Sequence, residues 1–336
     1  MSLPPSEIPL GAMRFNSDSQ KLEYWNGSAW FRIHTFSSNL NGGTRGLFMG
    51  GDPGPSPLTE GRIIDYVTIP TAGNAIDFGD MVSDAKYCSS CSSNTRGVVT
   101  GGENPSGFRD QIEFVTISST GNATDFGNLL AARTYVSGAG NQTRGLIAGG
   151  KAPSNDNVIQ YITVASTGNS VDFGDLTSNN TNQGGTANPI RAIFAGGANW
   201  PSLSQHIDFV TIATEGNAQD FGDMYTTAAY NNGATSSTRA VYAGSSAAPY
   251  KYMEYITMAT GGNSTFFGEL ENANGWRTGT SDTIRGVFAG GQSPATTNTI
   301  EYIAIATLGD AVDFGDSTTQ FHRSGGACSN RHGGLG

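Results

Sequence analysis

The sequence predicts an all-β chain folded as a β-propeller, and three observations carry that prediction. A motif of roughly 47 residues recurs six times. Glycine fills 47 of 336 positions, about twice ordinary usage. Within each copy, short apolar or alternating runs are separated by turn residues, as four-stranded blades require.

Each copy opens on a segment such as Arg45-Gly46-Leu47-Phe48-Met49-Gly50-Gly51. It returns at Arg96, Arg144, Arg191, Arg239 and Arg285, at steps of 51, 48, 47, 48 and 46 residues. An apolar run bounded by glycine fits a strand buried on both faces. Next comes Ile64-Asp65-Tyr66-Val67-Thr68-Ile69, in which β-branched and aromatic residues alternate with polar ones. Later versions start at Ile112, Ile159, Ile207, Met253 and Ile300. Gly73-Asn74 and its counterparts supply the positive φ of a tight turn. An aromatic-glycine pair follows, as in Asp77-Phe78-Gly79-Asp80 and Asp125-Phe126-Gly127-Asn128. A fourth strand fits before the next arginine, for instance around Ala132 to Gly138. Strand-built solenoids use repeats of about 20–30 residues, which favours blades over a solenoid.

A circular array must join its ends or expose sheet edges. Beyond Phe314-Gly315 the chain runs to Ser329 and then Arg331-His332-Gly333-Gly334-Leu335-Gly336, resembling the start of another copy. At the opposite end, Leu22-Glu23-Tyr24 matches Ile64-Asp65-Tyr66, and Ala29-Trp30-Phe31 stands for the aromatic-glycine strand. The expected layout is seven blades, one of them composite with two strands from each terminus. Six blades beside an N-terminal hairpin is the alternative. The corresponding boundaries are an extension over 1–12, a hairpin over 13–35 and repeats over 36–336.

Charge narrows the partners. A formal net charge of −10, with four lysines and no basic run, disfavours nucleic acid. No apolar stretch approaches the roughly 20 residues of a membrane span. Met1 to Leu10 lacks the charged and apolar regions of a signal peptide, so synthesis in a host cytoplasm is expected.

Seven of the 14 arginines share one repeat position: Arg45, Arg96, Arg144, Arg191, Arg239, Arg285 and Arg331. They could bind an anion, but a scaffolding role is the stronger expectation. In it each guanidinium pairs bidentately with a recurrent aspartate, namely Asp77, Asp125, Asp172, Asp220 or Asp313. The fifth copy carries Phe266 instead, so the pairing of Arg239 tests the idea. The Asp-x-Gly-Asp pattern offers too few oxygens per turn for calcium, and the aspartates read as turn caps. Cys88 and Cys91 form a lone CxxC without zinc partners, best read as small buried residues. Three of the four histidines (His34, His206, His322, His332) lie near the chain ends. No nucleophile motif is present, and no cofactor, metal or catalytic activity is expected.

What varies between copies is the loop after each double glycine: 52–62, 103–110, 151–157, 198–205, 246–252 and 292–298. Equivalent loops of a propeller share one face. Phe108, Trp200, Tyr250 and Tyr252 in these loops are the candidate binding residues, suited to sugars or protein surfaces.

A double glycine closing one strand, an aromatic in the next and a second aromatic further on resembles the kelch repeat, with Phe78 or Phe126 in place of the usual Trp. Separately, Gly11-Ala12-Met13-Arg14-Phe15-Asn16 and Lys21-Leu22-Glu23-Tyr24-Trp25-Asn26-Gly27-Ser28-Ala29-Trp30 are similar to a segment of bacteriophage tail-fibre and virion proteins. Together the chain resembles kelch-like virion structural proteins of marine phages, especially cyanophages. That resemblance implies a non-enzymatic fibre, tail or appendage protein of the virion, present in multiple copies. Its implied partners are other virion proteins and a host surface polysaccharide or protein. A glycan-active propeller enzyme and an intracellular scaffold for protein partners are the alternative readings.

Overall fold

The computed structural model describes residues 8–16, 21–32, 44–52, 61–227, 229, 232–245, 248, 250–292, 296–319 and 324–335. The chain divides into two compact units, 1–41 and 42–336. Half of it is strand, and no helix among the described residues could cross a membrane.

Residues 42–336 form six four-stranded antiparallel sheets among those described. In each, the second strand begins at the recurrent arginine. Sheet 2, for example, runs Ser89–Ser92, Arg96–Thr100, Gln111–Thr116 and Thr124–Asn128. The third sheet spans Ser137–Asp175, the fourth Gly184–Asp223, the fifth Asn232–Glu269 and the sixth Thr278–Asp316. Sheet 1 takes Arg45–Met49, Ile63–Thr68 and Ile76–Asp80 from early in the chain and Gly326–Ser329 as its first strand. First strands of successive sheets neighbour one another in an unbroken cycle that returns from sheet 6 through sheet 1 to sheet 2. This is a propeller-like arrangement.

Among the described residues, the strands of the two ends do not pair as the expected seventh, composite sheet. Gly326–Ser329 pairs with Arg45–Met49, Cys328 opposite Leu47, because that edge otherwise lacks its first strand. Gly333–Leu335 then turns as a 3-10 helix instead of starting a new second strand. Among the described residues, the early strands pair with each other as a three-stranded sheet of Met13–Asn16, Lys21–Trp25 and Trp30–Arg32. The inner strand expected around Ala132 to Gly138 runs Ser137–Gly140.

Six apolar cores lie between adjacent sheets. Leu47, Ile64 and Phe78 of sheet 1 meet Val99, Val115 and Ile117 of sheet 2, and the pattern repeats to Val287, Ile300 and Phe314 of sheet 6 against Phe48, Val67 and Ile69 of sheet 1. The second strand is buried on both sides because each of its faces serves a different core. The recurrent Phe sits at a bulge in the outer strand, opposite the shift between Ile64 and Asp65. That bulge turns Phe78 inward, edge-on to Tyr66 at 6.0 Å.

The following glycine has a separate task. Gly79 adopts φ of 143°, and a Cβ there would lie 2.6 Å from the carbonyl oxygen of Gly121 in the next sheet's Gly-Asn turn. That turn docks on the outer strand, with Gly121 N donating to Phe78 O at 2.8 Å and Ala123 N to Asp80 O at 2.8 Å. Asn122 Oδ1 accepts from Asp80 N at 3.0 Å. The same contact closes the cycle, where Asn74 Oδ1 accepts from Asp316 N at 3.1 Å. Gly79→Ala should therefore destabilise the chain by at least about 2 kcal/mol, strain plus clash. Gly121→Ala, with open space around its Cβ, should cost about half as much. Denaturant midpoints of the two variants check the contrast.

Candidate functional site

The recurrent arginines are placed by the aromatic residue of the third strand. Each guanidinium lies over its own sheet's ring: Arg45 over Tyr66 at 4.8 Å, Arg96 over Phe114 at 4.6 Å and Arg239 over Tyr255 at 4.4 Å. From there its Nη1 donates to a main-chain carbonyl of the next sheet. Arg45 reaches Ile117 at 3.0 Å, Arg96 reaches Val164 at 3.1 Å and Arg144 reaches Ile212 at 3.0 Å. Arg191 reaches Ala259 at 3.0 Å, Arg239 reaches Ile305 at 2.9 Å and Arg285 reaches Pro70 at 2.9 Å.

These contacts correct the aspartate pairing. Asp77, Asp125, Asp172, Asp220 and Asp313 are exposed on the outer strands, where the recurrent Phe, not the Asp, turns inward. Arg239, whose sheet carries Phe266 instead, is held as well as the others. Nor do the aspartates sit in turns; they lie within the fourth strands, and Asp220 Oδ1 accepts from Gly222 N at 3.2 Å. Arg331 is not a seventh member of the set. It is exposed just beyond the closing strand, and its N donates to Ser329 Oγ at 3.1 Å.

A second recurrent set escaped the sequence reading. Asp65, Glu113, Gln160, Asp208, Glu254 and Glu301 are buried in the third strands, at most 2% exposed. Each accepts a main-chain N–H just after the preceding sheet's outer strand: Val82 N to Glu113 at 2.8 Å, Leu130 N to Gln160 at 2.9 Å, Thr318 N to Asp65 at 2.9 Å. Glu301 also holds Arg277 at 2.9 Å, both side chains fully buried. The available signal was a polar residue recurring one place after a fully apolar one, which period-two reading assigns to the solvent face.

The ends of the central channel differ. At one end, the residue two places before the first strand has left-handed backbone in five described sheets: Tyr87 (φ 55°), Tyr135 (61°), Asn182 (58°), Trp276 (57°) and Ser324 (53°). The sixth equivalent, Tyr230, lies outside the described residues. Amides and carbonyls of these residues link around the mouth, Tyr135 N to Tyr87 O at 3.0 Å and Asn182 N to Tyr135 O at 3.0 Å. The Tyr87 and Tyr135 rings pack with centroids 4.5 Å apart, tilted by 38°. Bridges such as Lys86 to Glu103 and Thr181 to Ala198 join these connectors to the variable loops, so loops and mouth share one face.

Of the loop candidates, Phe108 is in the hairpin Glu103–Asn104/Gly107–Phe108 and Trp200 at the tip of Ala198–Asn199/Ser202–Leu203. Both are exposed, as is Tyr250. Tyr252 is instead a strand residue, its ring 5.0 Å from that of Phe266. Much of the loops 52–62, 246–252 and 292–298 lies outside the described residues.

The other end is filled by the C-terminal segment. Gly333 N donates to Thr235 Oγ1 at 3.1 Å, and His332 lines the channel. His332 Nδ1 accepts from Gly334 N at 3.1 Å, which fixes the neutral tautomer. Burial pulls this histidine down to about 4, against a hydrogen bond with the Ser92 backbone that favours the charged form. His206 is exposed, 3.4 Å from Asp223, while His34 and His322 lie outside the described residues. Burial pushes the Cys88 thiol up to about 11 and Cys91 to about 12, and raises Cys328 as well, so all three stay protonated and unreactive.

Two outcomes are expected. Arg191→Met, which keeps the packing but removes the donors to Met258 and Ala259, should cost about 1–2 kcal/mol in denaturant unfolding, whereas Asp172→Ala should change stability by less than about 0.5 kcal/mol. His332 has a folded value below its unfolded value of about 6.5, so its contribution is complete above that pH. The contribution should drain away as pH falls toward 4, by up to about 3 kcal/mol. Unfolding midpoints at pH 7 and 4.5 should diverge in the wild type and less so in His332→Gln. Compared with known proteins, the chain matches no family model and no curated protein.

Proposed function

We propose that the chain is a non-enzymatic structural and adhesion protein of a phage virion. In this reading residues 42–336 form a six-bladed kelch-like propeller that binds through its loop face. The observation that carries it is the separation between repeated and unrepeated residues. Arginines, buried carboxylates, aromatic-glycine pairs and Gly-Asn turns are consumed in links between sheets. Residues that differ from copy to copy gather on one face, where Phe108 (38%), Trp200 (52%) and Tyr250 (41%) stand exposed. Flat aromatic surfaces beside Asn and Ser suit a sugar face or a protein patch.

The N-terminal sheet adds support for attachment to a neighbouring virion protein. Its register puts Met13, Phe15, Leu22, Tyr24 and Phe31 on one face, all exposed. Its opposite face is consumed internally, with Arg14 bonded to Glu23 at 2.8 Å and lying over Trp30. Carboxylates used as scaffold in five of the six sheets weigh against the glycan-cleaving alternative, which needs a convergent acid pair.

Purified protein should adsorb to host cells, to host envelope polysaccharide or to virion proteins. Replacing Phe108, Trp200 and Tyr250 together by Ala should weaken that binding at least tenfold with an unchanged unfolding midpoint. Absence of binding to all three materials would overturn the proposal, and release of reducing sugar would favour the enzyme.

A further inference from the structure

We infer that a cleft on the loop face at sheet 4 binds the guanidinium of an arginine presented by a partner protein. The inference rests on the adhesion reading and gives one contact of the loop face its chemistry. The cleft has a volume of about 370 Å³ and is lined by Ser178, Asn180, Ser204, Gln205, His206 and Asp223, among others. Its walls are the connector after sheet 3 and the loop of sheet 4, joined by the bridge between Thr181 and Ala198.

Sheets 2 and 3 show what fills the same wedge between connector and loop. In sheet 2 it is Arg109, from the loop. Its Nη1 donates to Gly101 O at 3.0 Å, its Nη2 to Ser83 Oγ at 3.0 Å and its Nε to Gln111 Oε1 at 3.2 Å. It also pairs with the buried Glu113. In sheet 3 the guanidinium comes from the opposite wall. Arg133, on the connector, donates to Gly149 O at 3.0 Å and to Asp156 Oδ2 at 3.3 Å. Although the two arginines occupy different repeat positions, each caps the carbonyl of the first glycine of a pair and meets a carboxylate.

Sheet 4 has neither arginine. Ser204 stands at the place of Arg109, and Asn180 at the place of Arg133. Asn180 Nδ2 caps Gly196 O at 2.9 Å but is too short to fill the wedge. Ser178 and His206 stand where Ser83 and Gln111 hold Arg109. All four of these residues line the cleft, and no arginine or lysine does. The space is what two side chains shorter than arginine leave open, and it is large enough for one guest side chain.

Charge selects the guest. Asp223 on the lining lies 3.4 Å from His206, a partner that is charged only if protonated. Asp208, at the place of Glu113, is buried and accepts from Thr177, whereas Glu113 also meets Arg109. Burial pushes the Asp208 carboxyl up, against the hydrogen bonds from Thr177 that hold it down. The net charge of −10 adds a longer-range attraction for cations. A planar fork of five donors suits hydroxyl, amide and carboxylate oxygens spread over two walls better than a point-like ammonium does. A neutral sugar would leave the carboxylates unanswered.

The test is a saturation-transfer NMR titration of the full chain with N-acetyl-L-arginine methylamide, N-acetyl-L-lysine methylamide and methyl α-D-glucoside. The arginine probe should bind in the millimolar range, at least about fivefold more tightly than the lysine probe. Ser204→Arg, which restores the residue of sheet 2, should abolish that binding while holding or raising the unfolding midpoint. Asp223→Asn, an exposed change that leaves the fold alone, should weaken it about threefold. Phe108→Ala should bind the probe as the wild type does. The inference falls if the arginine probe does not bind, if the lysine probe or the glucoside binds as well, or if both cleft variants bind as the wild type does. Adsorption to polysaccharide alone, or adsorption to protein that Ser204→Arg leaves unchanged, would sink this inference and leave the adhesion reading standing. Arginine binding without adsorption to any host or virion material would sink the adhesion reading and leave the cleft as a guanidinium site.

Discussion

One contact organises the larger unit: an arginine held over an aromatic ring of its own sheet and donating to a main-chain carbonyl of the next. The ring and the carbonyl together hold the guanidinium, as Arg45 shows over Tyr66 at 4.8 Å while donating to Ile117 O at 3.0 Å. Six such contacts run the same way around the circle, and the last, Arg285 to Pro70, joins sheet 6 to sheet 1. Each arginine is only partly buried, which avoids the desolvation cost of a fully enclosed charge. The carbonyl it meets follows the third strand, where the sheet's own ladder has ended and an acceptor is free to take it.

Three other recurrent devices act in parallel at different radii. Serines stitch first strands near the axis, as Ser92 Oγ does to Ser329 O at 2.7 Å. Buried carboxylates hold the connector of the preceding sheet, and the Gly-Asn turn docks at the periphery on a strand that glycine keeps bare. Apolar side chains fill the space between, one core for each pair of neighbours. Because each of these devices bridges two sheets, it contributes only when the neighbouring sheet is in place. This also explains why the repeated residues recur so regularly: each must match a partner in the next copy.

Much of this was legible in the sequence. The periodicity gave the strands and their boundaries, and Leu47-Phe48-Met49 announced a strand buried on both faces. Pairings across sheets were not legible, because they depend on which copy lies beside which. The arginines were assigned to aspartates on charge complementarity, whereas the winning acceptors are carbonyls that carry no sequence signature. Glu113 and Glu301 were overlooked for a related reason, since a carboxylate in an alternating strand is ordinarily solvent-facing. Closure was misjudged because Leu22-Glu23-Tyr24 imitates a third strand locally, and local likeness says nothing about pairing. The channel mouth lay beyond sequence reasoning altogether: Tyr87, Asn182 and Ser324 share a backbone conformation, not a residue type.

The pairing of Gly326–Ser329 with Arg45–Met49 has a kinetic meaning. A ribosome delivers the Arg45 strand long before its partner, so a contact of great sequence separation is obligatory for completing sheet 1. Contacts of such long sequence separation are slow to form, since their loop entropy is lost before they are rewarded. The nascent chain therefore carries an unpaired edge until synthesis reaches Ser329, a window in which sibling chains on one message could exchange strands.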